Sequence, residues 1–217
     1  MNKIFSTFKY LFFFLFLGVA SSLWAQGEDF AIWTKFKADH KIDSRFSVSG
    51  DLEFRVKDQV KTVDRVGLVI GGHYNALPFL KLHLGYETHY RNLGESGWRF
   101  RHRYHLGATA TVRYEWLKIS LRERIQQTFD RGETETRLRS RLKLSVMPNK
   151  GVMSPYFAVE VYQSLGDASF WKVARVRYRP GVEFELSERW GMDVFYCYQH
   201  ATNRRVHITG LEVTYSF

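Results

Sequence analysis

The sequence predicts an all-β chain: a transmembrane, antiparallel, up-and-down β-barrel of ten strands, or twelve, behind a cleaved leader. Three observations predict it. Apolar and polar residues alternate with a period of two through nearly all of the chain after residue 26, which is the signature of strand rather than helix. The alternating runs are roughly 12 to 15 residues long, against about 5 to 6 for strands of soluble proteins and about 9 to 11 for a tilted membrane-crossing strand. The apolar face also carries aromatic residues near the ends of the runs: Tyr90, Trp98, Phe100, Tyr114, Trp116, Trp171 and Trp190. Aromatic girdles at two membrane interfaces have this disposition.

Residues 1–25 read as a secretory signal peptide. Lys3 and Lys9 supply the positive start, "YLFFFLFLGVA" the apolar centre, and Ala25 the small residue at the cut, which makes Gln26 the mature start. The rival reading is an uncleaved anchor. After Gln26 no stretch approaches 18 apolar residues, so no membrane helix is expected. Residues 26–217 form one barrel domain, exported and placed in the outer membrane. Net charge falls from +10 to +8 when the two leader lysines are removed. A chain that is 17% aromatic and 25% charged fits neither disorder nor a bundle of membrane helices. Lone Cys197 excludes an internal disulfide and reads as a small apolar filler.

The first segment, "DFAIWTKFKADHK", alternates loosely. The second, "RFSVSGDLEFRVK", does so cleanly: Phe46, Val48, Gly50, Leu52, Phe54 and Val56 share one face, and Arg45, Ser47, Ser49, Asp51, Glu53, Arg55 and Lys57 the other. The pattern recurs in "RVGLVIGGHYNA", "LKLHLGYETHYR", "WRFRHRYHLGATATVRY", "LKISLRERIQQTF", "ETRLRSRLKLSV", "YFAVEVYQ", "KVARVRYRPGVEFEL", "MDVFYCYQ" and "VHITGLEVTYSF". These make eleven candidates. Single-chain bacterial barrels have even numbers and lipid forbids an open edge. With both chain ends placed on the periplasmic side, the expectation is ten full strands plus an N-terminal segment of uncertain place, then twelve, with eleven last. Short turns at "ALPF", "YEWL" and "LSERWG" are assigned to the periplasm, and longer loops at "KDQVKTVD", "NLGESGW", "QSLGDASFW" and "HATNRRV" to the outside.

The chain ends "GLEVTYSF", with Leu211, Val213, Tyr215 and Phe217 on one face and Glu212, Thr214 and Ser216 on the other. The last strand must close the barrel. An alternating strand that ends in Phe resembles the C-terminal signal read by the outer-membrane barrel assembly machinery, so Leu211, Val213, Tyr215 and Phe217 are assigned as an assembly signal.

Chemistry, if any, belongs on the polar face. Tight turns register His73 opposite His83, Glu87 near Arg103, His89 near Arg101, Thr109 and Arg141 on either side of Arg122, and Gly107 and Arg139 on either side of Arg124. Arg101, Arg103, Arg122, Arg124, Arg137, Arg139 and Arg141 then face one interior, joined by Arg175, Arg177 and Arg179. Like charges placed opposite one another destabilise a sheet, so water, bound anions or carboxylates must offset them. Asp51, Glu53, Glu87, Glu135, Glu160, Glu183, Glu185 and Asp193 are available. One reading is a barrel filled by salt bridges, since small barrels are commonly filled by side chains. The other is a narrow channel for small anions or acidic oligosaccharides, since rings of Arg select anions and planar guanidinium groups suit carboxylate, sulfate or phosphate. Nucleic acid is not an expected partner, because the basic residues alternate with apolar ones rather than forming a patch.

A closed structural barrel whose outer loops bind a partner is the alternative, and an outer-membrane enzyme is third. Ser47, Ser49, Ser120 and Ser145 share the polar face with His73, His83, His89 and His105, but no serine falls beside a histidine in this register. Ser120 lands near Lys143 and Thr111. No catalytic residue is assigned. The His73–His83 pair has no evident carboxylate partner, so no metal or cofactor is assigned either.

Several stretches carry a resemblance: "DFAIWTKFKADHKIDSRFSVSGDLEFRVKD", "RVGLVIGGHYNALPFLKLHLGYETHY", "RFRHRY", "RLRSRLKL", "SPYFAVEVY" and "RVRYRPGVEFELSERWGMDVFYCYQ". Together they resemble the domain-of-unknown-function family 2490, predicted outer-membrane proteins of Gram-negative bacteria. The resemblance covers nearly all of the mature chain. It implies an outer-membrane β-barrel and supplies no activity; the barrel is expected to be a monomer. The small size and basic lumen are similar to those of narrow channels for acidic oligosaccharides, an analogy of architecture alone.

Overall fold

A computed structural model describes residues 28–147, 151–166, 171–202 and 204–217. The expected leader, 1–25, lies outside the described residues. Eleven strands are found among them: β1 (Asp29–Lys41), β2 (Phe46–Lys57), β3 (Thr62–Leu77), β4 (Leu80–Asn92), β5 (Trp98–Tyr114), β6 (Leu117–Asp130), β7 (Glu133–Val146), β8 (Met153–Ser164), β9 (Val173–Glu185), β10 (Trp190–Ala201) and β11 (Arg204–Ser216). Consecutive strands pair antiparallel, and β1 pairs with β11, so the sheet closes into a barrel.

The strand number corrects the expectation of ten or twelve. In an up-and-down sheet an odd count makes the first and last strands run the same way, so closure requires a parallel ladder. That ladder runs from Asp29 opposite Val206 to Asp39 opposite Ser216. Parallel pairing of β1 with β11 leaves no strand of the sheet with an open edge, so closure does not require an even count. The segment 29–41 is therefore a full strand, and Glu28 and Phe217 lie at opposite ends of the barrel.

The turns divide between the two ends as their sequences indicate. The turns around Pro78, Glu115 and Ser187 lie at the end that holds Phe217. Those at 58–61, 93–97, 165–172 and 202–203 lie at the other. The contrast in length is smaller than expected, because β3 and β11 extend into stretches that read as loop, and the last connection shrinks to two residues. At the β1–β2 turn the Asp43 carboxylate accepts the backbone N–H groups of Arg45 and Phe46 at 2.6 and 2.7 Å. Those two donors hold its carboxyl below the usual carboxylate range. Glu115 and Arg131 turn with φ of 47° and 51°, the left-handed geometry that two-residue hairpins require.

The faces are sorted as a membrane barrel sorts them, apolar out and polar in. Leu106, Phe100 and Ile70 are 61, 61 and 56% exposed, whereas Glu160, Glu87 and His89 are 6, 7 and 2% exposed. All seven aromatics named above face outward at the rims. Tyr114, Trp116 and Trp190 circle the Phe217 end, and Tyr90, Trp98, Phe100 and Trp171 circle the other. Neighbouring rings touch, as in Tyr90–Trp98 at 5.0 Å and Trp190–Tyr215 at 4.8 Å between centroids. Strands of 12 to 17 residues tilted as in closed barrels rise about 30 Å or more.

One inner wall is apolar. Ala31, Phe195, Cys197, Val206 and Ile208 are buried there, with Trp33 packed against them. Gly210 makes room for Phe195, its partner across β10 and β11, because a Cβ at Gly210 would fall inside the Phe195 ring. His105 over Gly85, His89 over Gly67 and His83 over Gly107 repeat the device on the polar wall. Each ring takes the space that a side chain at the glycine would fill. Replacing Gly210 with Ala should destabilise the barrel by about 1–3 kcal/mol through overpacking, read as a lower urea midpoint. An unchanged midpoint would contradict this packing.

Candidate functional site

The expected register holds. His73 lies opposite His83, Glu87 opposite Arg103 and His89 opposite Arg101. Arg122 lies between Thr109 and Arg141, and Arg124 between Gly107 and Arg139. These side chains line a lumen of about 1680 Å³ whose wall runs from Asp43 and Phe46 at one rim to Asp130 and Glu133 at the other. The described lining holds twenty Lys and Arg against thirteen Asp and Glu, so the excess charge is positive.

The acids act as hubs. Glu160 accepts from Arg122 at 3.0 Å and from Arg139 at 2.9 Å, faces Arg177 at 3.4 Å, and accepts the Tyr162 hydroxyl at 2.8 Å. Arg177 also donates to Gln199 and to the Tyr162 hydroxyl. Glu87 accepts from Arg103 at 2.9 Å and lies 3.1 Å from His105. Near the loop rim Asp130 holds Arg99 and Arg101, and Glu135 holds Arg137. Arg179 joins Asp193 to Glu212. Aromatic rings hold other guanidinium groups by their faces: Arg55 lies 3.8 Å over Trp33 and Arg179 3.5 Å over Phe195.

The pairing is incomplete on β6 and β7. Arg141 is the strand neighbour of Glu160, yet the carboxylate is taken by Arg122, Arg139 and Arg177. Among the described residues no carboxylate lies within ion-pair distance of Arg141 or Arg175, and the Nε atoms of both have no hydrogen-bond partner. Arg124 reaches only Glu87, at 3.8 Å, and its Nε is also without a partner. Arg175 rests over the Tyr162 ring, 5.3 Å from its centroid. The barrel thus brings Arg122, Arg124, Arg139 and Arg141 together as one patch, with Arg175 and Arg177 two strands beyond. It sets Arg101, Arg103 and Arg137 apart in separate ion pairs.

Sequence reasoning missed the contact between Ser49 Oγ and His73 Nε2, 3.1 Å. Ser49 lies opposite Gly71, two rungs from His73, and the missing side chain lets the hydroxyl lean across. The signal was the glycine. No carboxylate is seen to orient His73 among the described residues, so the third member of a nucleophile–base–acid chain is lacking. His207 faces outward, bonded to Tyr196 at 2.6 Å and to Glu28. Ser120 bonds Thr111 at 3.1 Å. No three His, Cys, Asp or Glu side chains among the described residues form a metal-holding group.

The family described as protein of unknown function (DUF2490) matches the chain over residues 30–207. No curated protein and no solved structure matches it.

Proposed function

The chain belongs to the DUF2490 family, and from that premise we propose that it is an outer-membrane β-barrel whose basic lumen binds small anions and lets them pass. The observation that carries the reading is the β6–β7 patch. Four guanidinium groups face the lumen there, with Glu160 shared by two of them and a long contact to Glu87 for a third. Planar, undercompensated guanidinium groups fit the oxygens of carboxylate, sulfate or phosphate, and rings of arginine favour anions in a pore.

Membrane placement is supported by the outer surface. A continuous wall of exposed Leu, Ile, Val and aromatic side chains is far larger than a soluble monomer carries. In this reading the Phe217 end, with its short turns, faces the periplasm. Leu211, Val213, Tyr215 and Phe217 form the outward stripe that the assembly machinery engages.

A closed, salt-bridged barrel whose loops bind a partner is the second reading. It is favoured by the saturation of Glu160.

Replacing Arg124 and Arg139 with Ala should lower the anion-to-cation permeability ratio of the reconstituted protein several-fold while leaving the barrel folded. An unchanged ratio in folded variants would contradict the site. Recovery of the protein outside the outer-membrane fraction would contradict the location.

A further inference from the structure

One acidic side chain lies on the wrong face. Glu123 is the seventh of the fourteen residues of β6 and points outward, between Leu121 and Ile125. Its carboxyl accepts the hydroxyl of Ser140, its partner on β7, at 2.6 Å. On its other side lies Ala108 of β5, a small neighbour, and Glu123 is half-buried. Among the described residues no other Asp, Glu, Lys or Arg faces outward in the middle of a strand.

The same quarter of the wall holds further outward polar groups two or three outward positions nearer the loop rim. Thr88 pairs with His102, and Gln127 with Thr136. Elsewhere the outer wall is built mostly of Leu, Ile, Val and aromatic residues, with Ala38, Gly50 and Gly72 on β1 to β3, Pro180 on β9, and Thr34 and Thr209 at the β1–β11 seam. A carboxyl in the middle of a lipid-facing wall is unfavourable unless something polar covers it, and such a group marks a contact.

We propose that this wall of β5, β6 and β7 is the interface of a homodimer, in which Glu123 of each chain meets Ser140 of the other. The inference rests on the membrane-barrel reading above. The occupant is a second copy because the pair is self-complementary. Acceptor and donor are neighbours at one depth, so a two-fold axis along the membrane normal and passing between them exchanges the two. Ala108 permits close approach, as small residues do at contacts within membranes. The dimer departs from the monomer expected on sequence.

The test uses the full mature chain refolded into detergent and into lipid vesicles, with heat-modifiable electrophoretic migration as the readout of barrel formation. The wild type should be dimeric by light scattering. Glu123→Cys chains mixed with Ser140→Cys chains should give an intermolecular disulfide between the two, because each cysteine then meets the other across the axis, with Cys197 buried in the inner wall and out of reach. Glu123→Leu together with Ser140→Leu should weaken dimerisation about tenfold or more while heat-modifiable migration is kept. A wild type that is folded, inserted and monomeric would overturn the proposal. So would a dimer that the double change leaves intact, because the interface would then lie elsewhere. A protein that folds but does not enter vesicles would overturn the membrane reading and the dimer with it.

Discussion

Replacing Glu160 with Gln should lower the stability of the barrel by about 3–5 kcal/mol, the range for removing one partner of a buried ion pair. Glu160 is only 6% exposed, and Arg122, Arg139 and Arg177 all converge on it. The amide keeps the shape and one acceptor but removes the charge. Three guanidinium groups of β6, β7 and β9 are then left around an uncharged amide, beside Arg141, which already has no carboxylate among the described residues. Lumen water screens part of this, so the lower end of the range is expected. The urea midpoint of the refolded protein reads the loss. Adding Arg139→Gln to Glu160→Gln should recover part of it, because one of the stranded cations is gone. A midpoint within about 0.5 kcal/mol of wild type, the effect of an ordinary surface change, would show that Glu160 is not the hub of the lumen.

Replacing Phe217 with Ser should reduce folded protein in the outer membrane several-fold with translation unchanged. Its side chain is 69% exposed and contributes little packing beyond edge contacts with Tyr215 at 4.8 Å and His40 at 6.0 Å between centroids. Its backbone N–H closes the β1–β11 ladder on the Asp39 carbonyl at 2.9 Å, a bond that any residue supplies. The purified variant should therefore refold with nearly wild-type stability. Poor assembly in cells beside good refolding in vitro is the signature of a recognition signal. Equal losses in both assays, or normal levels of folded protein, would contradict the assignment.

The chain's long alternating runs made the barrel legible, and its tight turns gave the cross-strand register of β3 to β7. Both follow from local geometry, because the side-chain period is two and a short turn fixes pairing. What was hidden depends on contacts between distant parts of the chain. Asp29–Lys41 alternates loosely because Ala31 and Trp33 point inward onto Phe195, Cys197 and Ile208 of β10 and β11. The apolar inner wall therefore blurred the segment that closes the barrel. The same wall reverses the upper half of β11, where Val206 and Ile208 face in and His207 faces out. In the lumen, nothing local shows that Glu160 would pass over its neighbour Arg141 for Arg122, Arg139 and Arg177. Glu123 was legible as an acid in an outward position of "LKISLRERIQQTF", and its pairing with Ser140 needed only the β6–β7 register.

The most direct test of the account is the zero-current potential of the wild-type protein in a planar bilayer under a gradient of potassium chloride. A basic, open lumen should give steady conductance steps and a potential of the sign set by chloride, moving toward zero when Arg124 and Arg139 are replaced. A correctly folded barrel that stays silent, or a potential of the sign set by potassium, would contradict it.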